Sequence, residues 1–433
     1  MNSVDQLEAF RQSVYERLGK GRDALFDLMD AILVSRSITS FAELSLSAVF
    51  RRQWPSVYAA IRESHPPRDE LLKLYAQHLP QPSRLVLAGD HTAWSRLYAR
   101  TLRDRTYEHQ APPMSGSKPV TVGHGYSTLA WIPEAQGSWA LPLLHERISS
   151  FESPISKAAG QLKAVCEQLQ GRPLSLWDAE YGCAPFILQT AAIACDKLMR
   201  VRSNRVLYKA PPAYAGKGRP RKHGDKFKLN DEQTWGQADQ CRDVESERLG
   251  PLRLQLWHHL HFSRSAAHPM HLIRVERRAE GRVHPPLWLV WVGQSLPDLN
   301  ELWQYYLRRF AIDHWYRFVK QRLHWSLPRF ATPEQGQTWS DLMPLLTWQL
   351  WLARPWLCQT PLPWQKLSPL PSPGRVADSF APLLARIGSP APNPKPRGKS
   401  PGWLPGRTRT RRIRYPIVKK GFKRPKKMPI PSA

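Results

Sequence analysis

The chain is 433 residues long and 42% hydrophobic, with 18 Trp, 13 Tyr and 13 Phe, which excludes a mainly disordered protein and leaves room for two or three domains. Its 63 Lys+Arg against 35 Asp+Glu give a formal net charge of +28, a self-repulsion best relieved by a polyanion: nucleic acid first, anionic membrane second. No apolar run approaches the roughly 18 residues of a membrane span, no basic-then-apolar leader pattern opens the sequence, and the five cysteines lack Cys-x-x-Cys spacing, so a membrane-spanning chain, a disulfide frame and a zinc site are not expected. Cytoplasmic residence follows as the expectation.

Residues 1–80 read as a helical N-terminal domain. Apolar residues recur at three- and four-residue spacing over 4–18, 22–34, 40–50 and 57–61, and Ser40-Phe-Ala-Glu43 is a capping box before a helix. Such a module suits DNA-end binding or, equally, dimerisation. From residue 84 the pattern changes. Arg84-Leu-Val-Leu-Ala-Gly-Asp90 reads as a short buried strand ending in a carboxylate, and strands over 120–131 and 138–144 flank a turn at 133–137. An amphipathic helix over 155–169 precedes a second carboxylate-ended strand, Leu174-Ser-Leu-Trp-Asp178; an apolar helix over 182–197 and a strand over 198–202 follow. This order predicts a mixed α/β core with a central sheet over 81–204.

Residues 205–297 interrupt it with a basic loop, Gly216-Lys-Gly-Arg-Pro-Arg-Lys-His-Gly224, and strand-like runs over 252–262, 271–276 and 287–292, a β-rich insertion. The core resumes over 298–358 with a long helix from about 298 to 325 and an apolar one over 339–357. Residues 359–433 form a Pro/Arg/Lys-rich flexible tail; between 395 and 427 it holds fourteen Lys and Arg and no acid, suited to phosphate contact without regard to sequence.

Chemistry concentrates in two places. On the long helix Tyr306, Arg309, Asp313 and Lys320 fall within roughly 60° of one another at about 100° per residue. That face joins a metal-binding carboxylate to phosphate-binding groups; it reads equally as a surface stripe with an Arg309–Asp313 pair worth a few tenths of a kcal/mol. Arg317 lies near the same face and reads as surface charge. Asp90 and Asp178 would emerge together if their strands were neighbours, and with Asp313 would offer three carboxylates to hard divalent ions. Singly, each also reads as a strand-end turn former.

In combination these segments resemble bacterial insertion-sequence transposases of the DDE type, in the branch marked by Tyr, two residues, Arg, three residues, Glu, six residues, Lys. Tyr306, Arg309, Asp313 and Lys320 match every spacing, and Gly89-Asp-His-Thr-Ala-Trp-Ser-Arg96, Trp177-Asp-Ala-Glu-Tyr-Gly182 and Thr332-Pro-Glu-Gln335 supply the other motifs, over roughly residues 30 to 355. The resemblance implies a ribonuclease H-like core with a β-rich insertion. It implies Mg²⁺, with Mn²⁺ as substitute, held by Asp90, Asp178 and Asp313, and phosphates positioned by Tyr306, Arg309 and Lys320. It further implies nicking of inverted-repeat ends by water, transfer of the 3′-hydroxyl ends to target DNA, and a homodimer on DNA in the bacterial nucleoid. A structure-specific nuclease on the same core, or a catalytically decayed DNA-binding relative, are the alternative readings.

The chain departs from the branch at one point: Asp313 stands where it has Glu. One methylene less displaces a ligand by about 1 Å, on the order of a 100-fold penalty. Either Asp serves, or the copy has decayed, or Glu301 or Glu334 supplies the ligand. Elsewhere, Arg219, Arg221 and Lys222 in Gly218-Arg-Pro-Arg-Lys222 form a possible DNA contact, as a minor-groove hook or a phosphate-contacting loop. Trp257-His-His-Leu-His261 puts only His259 and His261 on one strand face, so strand packing is expected there and not a metal site. Trp235, Trp257, Trp288 and Trp291 of the insertion are available to stack a flipped base, with core packing the default for each.

Overall fold

The computed structural model of the protein describes residues 3–38, 40–80, 84–110, 119–214, 216, 218–278, 284–357, 363–364, 366–367, 369–396, 402, 405–408 and 411–420. Lys217, Cys358, Arg397, Lys399, Arg409 and the cations beyond 420, all singled out from the sequence, lie outside the described residues.

Five helices open the chain: α1 (Ser3–Arg17), α2 (Arg22–Val34), α3 (Phe41–Leu44), α4 (Pro55–Glu63) and α5 (Arg68–Gln77). The core follows with β1 (Val86–Ser95), β2 (Thr106–His109), β3 (Val120–Trp131), β4 (Leu141–Ile148), α6 (Pro154–Cys166), β5 (Leu174–Trp177), α7 (Ala184–Gln189) and β6 (Asp196–Val201). Then come β7 (Val206–Tyr208), β8 (Lys226–Lys228), β9 (Gln240–Ser246), β10 (Gly250–Leu260), β11 (Met270–Arg277) and β12 (Leu287–Val292). Five α-helices follow among the described residues: α8 (Leu299–Arg308), α9 (Phe310–Gln321), α10 (Pro333–Ala353), α11 (Pro373–Asp378) and α12 (Phe380–Ile387).

Ten strands form one mixed sheet in the order β2-β3-β1-β5-β6-β12-β11-β10-β9, with β4 pairing along β3 beyond β2. β1–β5 and β5–β6 are parallel and the other pairs antiparallel. This is the mixed ribonuclease H-like core with N-terminal helices that the sequence predicts. The inserted strands do not form a separate layer: β12 pairs with β6, so β12-β11-β10-β9 prolong the core sheet. β3 is buried along nearly its whole length, because α6 packs against it on one side of the sheet while α10 covers the neighbouring β4.

α10 is the central post. Thr332 and Gln335 close a capping box at its start, Pro333 sits in its first turn, and it is buried nearly all round. α1 packs along it, and the buried Arg11 guanidinium ties three segments together: it donates to Gln349 of α10 at 2.6 Å, to Asp30 of α2 at 3.1 Å and to the Gly388 carbonyl at 3.0 Å. The helices α1 to α5 thus share one hydrophobic interior with the core.

Three expectations are corrected. The helix expected over 298–325 is two helices, α8 and α9, meeting at Arg309, where the Arg309 and Ile312 amides make tight three-residue bonds to the Tyr306 and Arg309 carbonyls. The apolar run 182–197 is only the short α7, and its end feeds β6. The tail is not wholly a mobile arm: α11 and α12 bury Val376, Ala377, Phe380, Leu383 and Leu384 in the common core. Among the described residues no helix is long and apolar enough to cross a membrane.

A candidate catalytic carboxylate site

Gly89 is where the site is set. It is the last residue of β1 paired with β5, opposite Trp177, and a Cβ there would lie 1.9 Å from the Trp177 ring. Only glycine lets that indole lie against the strand. One residue further, Asp90 and Asp178 stand side by side where β5 ends. Asp90 is therefore mid-strand, since β1 runs on to Ser95, and not at a strand end as expected.

The Asp90 side chain is largely buried. Its carboxylate accepts from the His91 amide at 2.7 Å and from Arg309 at 3.2 Å. Burial raises its pKa to about 6; Arg309 opposes that rise and Asp178 adds to it. Asp178 accepts from the Glu180 amide at 2.9 Å, which fixes the turn leaving β5.

The break between α8 and α9 delivers the rest. Arg309 sits at the junction, 8% exposed, with one Nη on Asp90 and the other 3.3 Å from Asp313. Burial alone would lower the guanidinium's pKa, but Tyr306, Asp90, Asp313 and Asp178 around it outweigh burial and hold it charged. The Asp313 side chain is 45% exposed. Lys320, two turns on, donates to Thr92 of β1 at 2.7 Å; burial lowers its pKa while Asp90 supports its charge. Tyr306 is buried, its phenol pushed up by burial, with Arg309 5.9 Å from its ring centroid. Its hydroxyl is thus less accessible than the expected phosphate-binding role supposes.

Four residues not singled out from the sequence join them. Tyr316 donates to the Asp90 carbonyl oxygen at 3.0 Å and lies 2.8 Å from Thr128 Oγ1, holding α9 to β1. His91 Nδ1 is 3.2 Å from the Tyr181 hydroxyl, and its Nε2 is 3.8 Å from a Glu180 carboxylate oxygen. Their signal was adjacency: His91 follows Asp90, Glu180 and Tyr181 follow Asp178 within three residues, and Tyr316 is one helical turn past Asp313.

Other expected residues stay apart. Glu334 pairs with Arg103 at 2.6 Å, and Glu301 lies in the first turn of α8, about 12 Å along the helix from Arg309, so neither joins the carboxylates. Arg317 is exposed. Arg219, Arg221 and Lys222 are exposed on the loop between β7 and β8, with no carboxylate partner among the described residues. Trp235, Trp257, Trp288 and Trp291 are all buried; the first three pack together around Phe227, and Arg274 lies 5.0 Å from the Trp235 ring centroid. His259 adopts φ 54° at a bulge in β10, so His258 turns to His271 and His261 to His223, at 2.8 and 2.9 Å between ring nitrogens.

Among the described residues no three His, Cys, Asp or Glu side chains are already closed around a cation position. The donor set nevertheless fits a hard divalent ion. It offers carboxylate oxygens only, and the ionisation of Asp90 is opposed by burial and by Asp178, a penalty that added positive charge removes.

Asp90 on β1 and Asp178 just past the end of the neighbouring parallel β5 are thus brought together with a third acid, Asp313, and two cations, Arg309 and Lys320, from a later helix. Residues 13–260, more than half of the chain, match the family model described as DDE superfamily endonuclease, and the chain belongs to that family. The match spans Asp90 and Asp178 and ends before Asp313. No curated protein matches the chain.

Proposed function

We propose that this DDE endonuclease is a transposase of the Tyr-Arg-Glu-Lys branch, with Asp313 in the place of Glu, that binds the inverted-repeat ends of its element, nicks them and joins the freed 3′-hydroxyl ends to target DNA. The observation that carries the reading is the meeting of Asp90, Asp178, Arg309, Asp313 and Lys320 where β5 ends beside the middle of β1. Asp90, Asp178 and Asp313 would hold the divalent ions, Mg²⁺ or Mn²⁺, which when bound supply Lewis-acid charge for water activation and leaving-group stabilisation. Lys320 offers a point charge to the phosphates beside the cut, and Arg309, whose two Nη atoms hold Asp90 and Asp313, would add its planar fork where divalent ions take up those carboxylates. Tyr316 fixes the Asp90 backbone, and the Gly89–Trp177 packing fixes the spacing of the two strands. Cutting both ends together calls for a dimer on DNA in the nucleoid, with the N-terminal helices and the loop bearing Arg219, Arg221 and Lys222 as further DNA contacts.

The test is strand cleavage of DNA carrying the gene's flanking ends, with Mg²⁺ or Mn²⁺, by the full chain and by Asp178→Ala. Nicking at the element boundary by the unaltered chain alone is expected; equal nicking by both would overturn the assignment. The half-exposed Asp313, tied to Arg309, favours one second reading, a DNA-binding relative that has lost catalysis. Binding without nicking, with nicking restored by Asp313→Glu, would identify it.

A further inference from the structure

The edge strand of the sheet at β2 is covered by a segment from the far end of the chain. The Val418 amide donates to the Arg105 carbonyl at 2.7 Å, the Tyr415 amide to the Arg100 carbonyl at 2.9 Å, and Val418 bridges Thr106 in parallel. Two side chains lock this pairing. Arg105, 3% exposed, donates to the Tyr415 carbonyl at 3.2 Å and to the Leu97 carbonyl at 3.1 Å. Glu108, with its side chain 6% exposed, pairs with Lys420 at 2.9 Å. A buried carboxylate on an edge strand has its cation supplied by the tail, so residues 415–420 are anchored at the start of β2 by one β-bridge, two backbone hydrogen bonds and an ion pair.

Arg411, Arg412, Arg414 and Lys419 are exposed and have no carboxylate partner among the described residues, and exposed Tyr98 and Tyr107 belong to the same edge. The register places Val418, the docked residue of this segment. Thr106 faces Gly123, Gly123 faces Ser95, and Thr92, the partner of Lys320, is three residues back along β1. Three strand spacings across and three residues along put Val418 about 17 Å from Thr92. That is about five base-pair steps of duplex at roughly 3.4 Å each.

Resting on the nuclease reading above, we propose that residues 411–420, anchored where Val418 docks about five base-pair steps from Thr92, form a basic strap that grips the phosphates of the bound duplex. The cations neutralise backbone charge without reading sequence, and the β2 edge anchors them on the same sheet as the carboxylates.

Two measurements on the full chain test this. With linear duplex carrying the flanking ends, the slope of log affinity against log salt is expected to fall by about 2.7 in the Arg411→Gln, Arg412→Gln, Arg414→Gln variant, three contacts at about 0.9 each. In hydrogen exchange, the Tyr415 and Val418 amides are expected to exchange slowly, and Lys420→Gln and Glu108→Gln each to speed them. An unchanged salt slope overturns the strap, and so does exchange of both amides at the unstructured rate in the unaltered chain. An unchanged slope with nicking intact removes the strap alone; a reduced slope with no Asp178-dependent nicking removes the nuclease reading alone.

Discussion

Replacing Asp90 by Asn is expected to stabilise the protein at about pH 8 while abolishing cleavage. The folded state raises the Asp90 pKa from 3.8 to about 6, through burial first and then the neighbouring Asp178 against the opposing Arg309. The folded chain therefore holds the Asp90 proton more tightly than the unfolded chain does. Its contribution is fully favourable below about pH 4, falls as pH rises from about 4 to 6, and stays lost above that. A shift of roughly 2 units at about 1.4 kcal/mol each sets a ceiling near 3 kcal/mol on the relief given by a neutral side chain. That net shift already contains the attraction of Arg309, which keeps Asp313 in the variant, and the amide is itself a buried polar group whose cost returns part of the relief. A net gain of about 1–2 kcal/mol remains, which thermal unfolding reads as a rise of a few degrees. The gain must shrink as pH is lowered toward 4, where Asp90 is itself neutral. An Asn variant less stable than the unaltered chain at pH 8, or a gain that does not vary with pH, would refute the electrostatic account.

Arg11→Ala is expected to cost about 3–5 kcal/mol in urea unfolding, because Asp30 is left buried and without its cation while Gln349 and the Gly388 carbonyl lose a donor. Gly89→Ala forces a methyl into the Trp177 ring and is expected to cost about 3 kcal/mol or more, with nicking lost as Asp90 shifts; a fully active alanine variant would contradict the packing. Tyr316→Phe removes the hydrogen bond to the Asp90 carbonyl and is expected to cost about 1–2 kcal/mol in chemical unfolding, with full secondary structure by circular dichroism.

The sequence was most legible where burial imposes a regular pattern. The ranges of α2, β3 and β12 coincide with the runs read from apolar spacing, and α1 and β11 differ by a residue or so. It was least legible where apolar spacing is missing or ambiguous. β9 (Gln240–Ser246) is exposed over most of its length and owes its strand form to pairing with β10 alone. The run 182–197 is apolar enough for one helix, yet its end is drawn into β6 by parallel pairing with β5. In the tail, Val376, Phe380, Leu383 and Leu384 carry a helical spacing that the surrounding prolines masked. The site was readable in part: spacing pointed to Arg309, Asp313 and Lys320, but the break at Arg309, which turns that side chain onto Asp90, leaves no mark in a helical wheel.

The continuous run of strands has a geometric consequence. Nine strands lie on the main path from β2 to β9, so eight successive steps of about 20–25° of twist accumulate to roughly half a turn. Side chains that rise from corresponding faces of β2 and β9 therefore point in nearly opposite directions in space. By that twist the polar rim of β9, with Arg242, Asp243 and Glu245, turns away from the β2 edge where Val418 docks. One ribbon of backbone thus offers two rims of contrary orientation, and a straight rod laid along the first runs clear of the second.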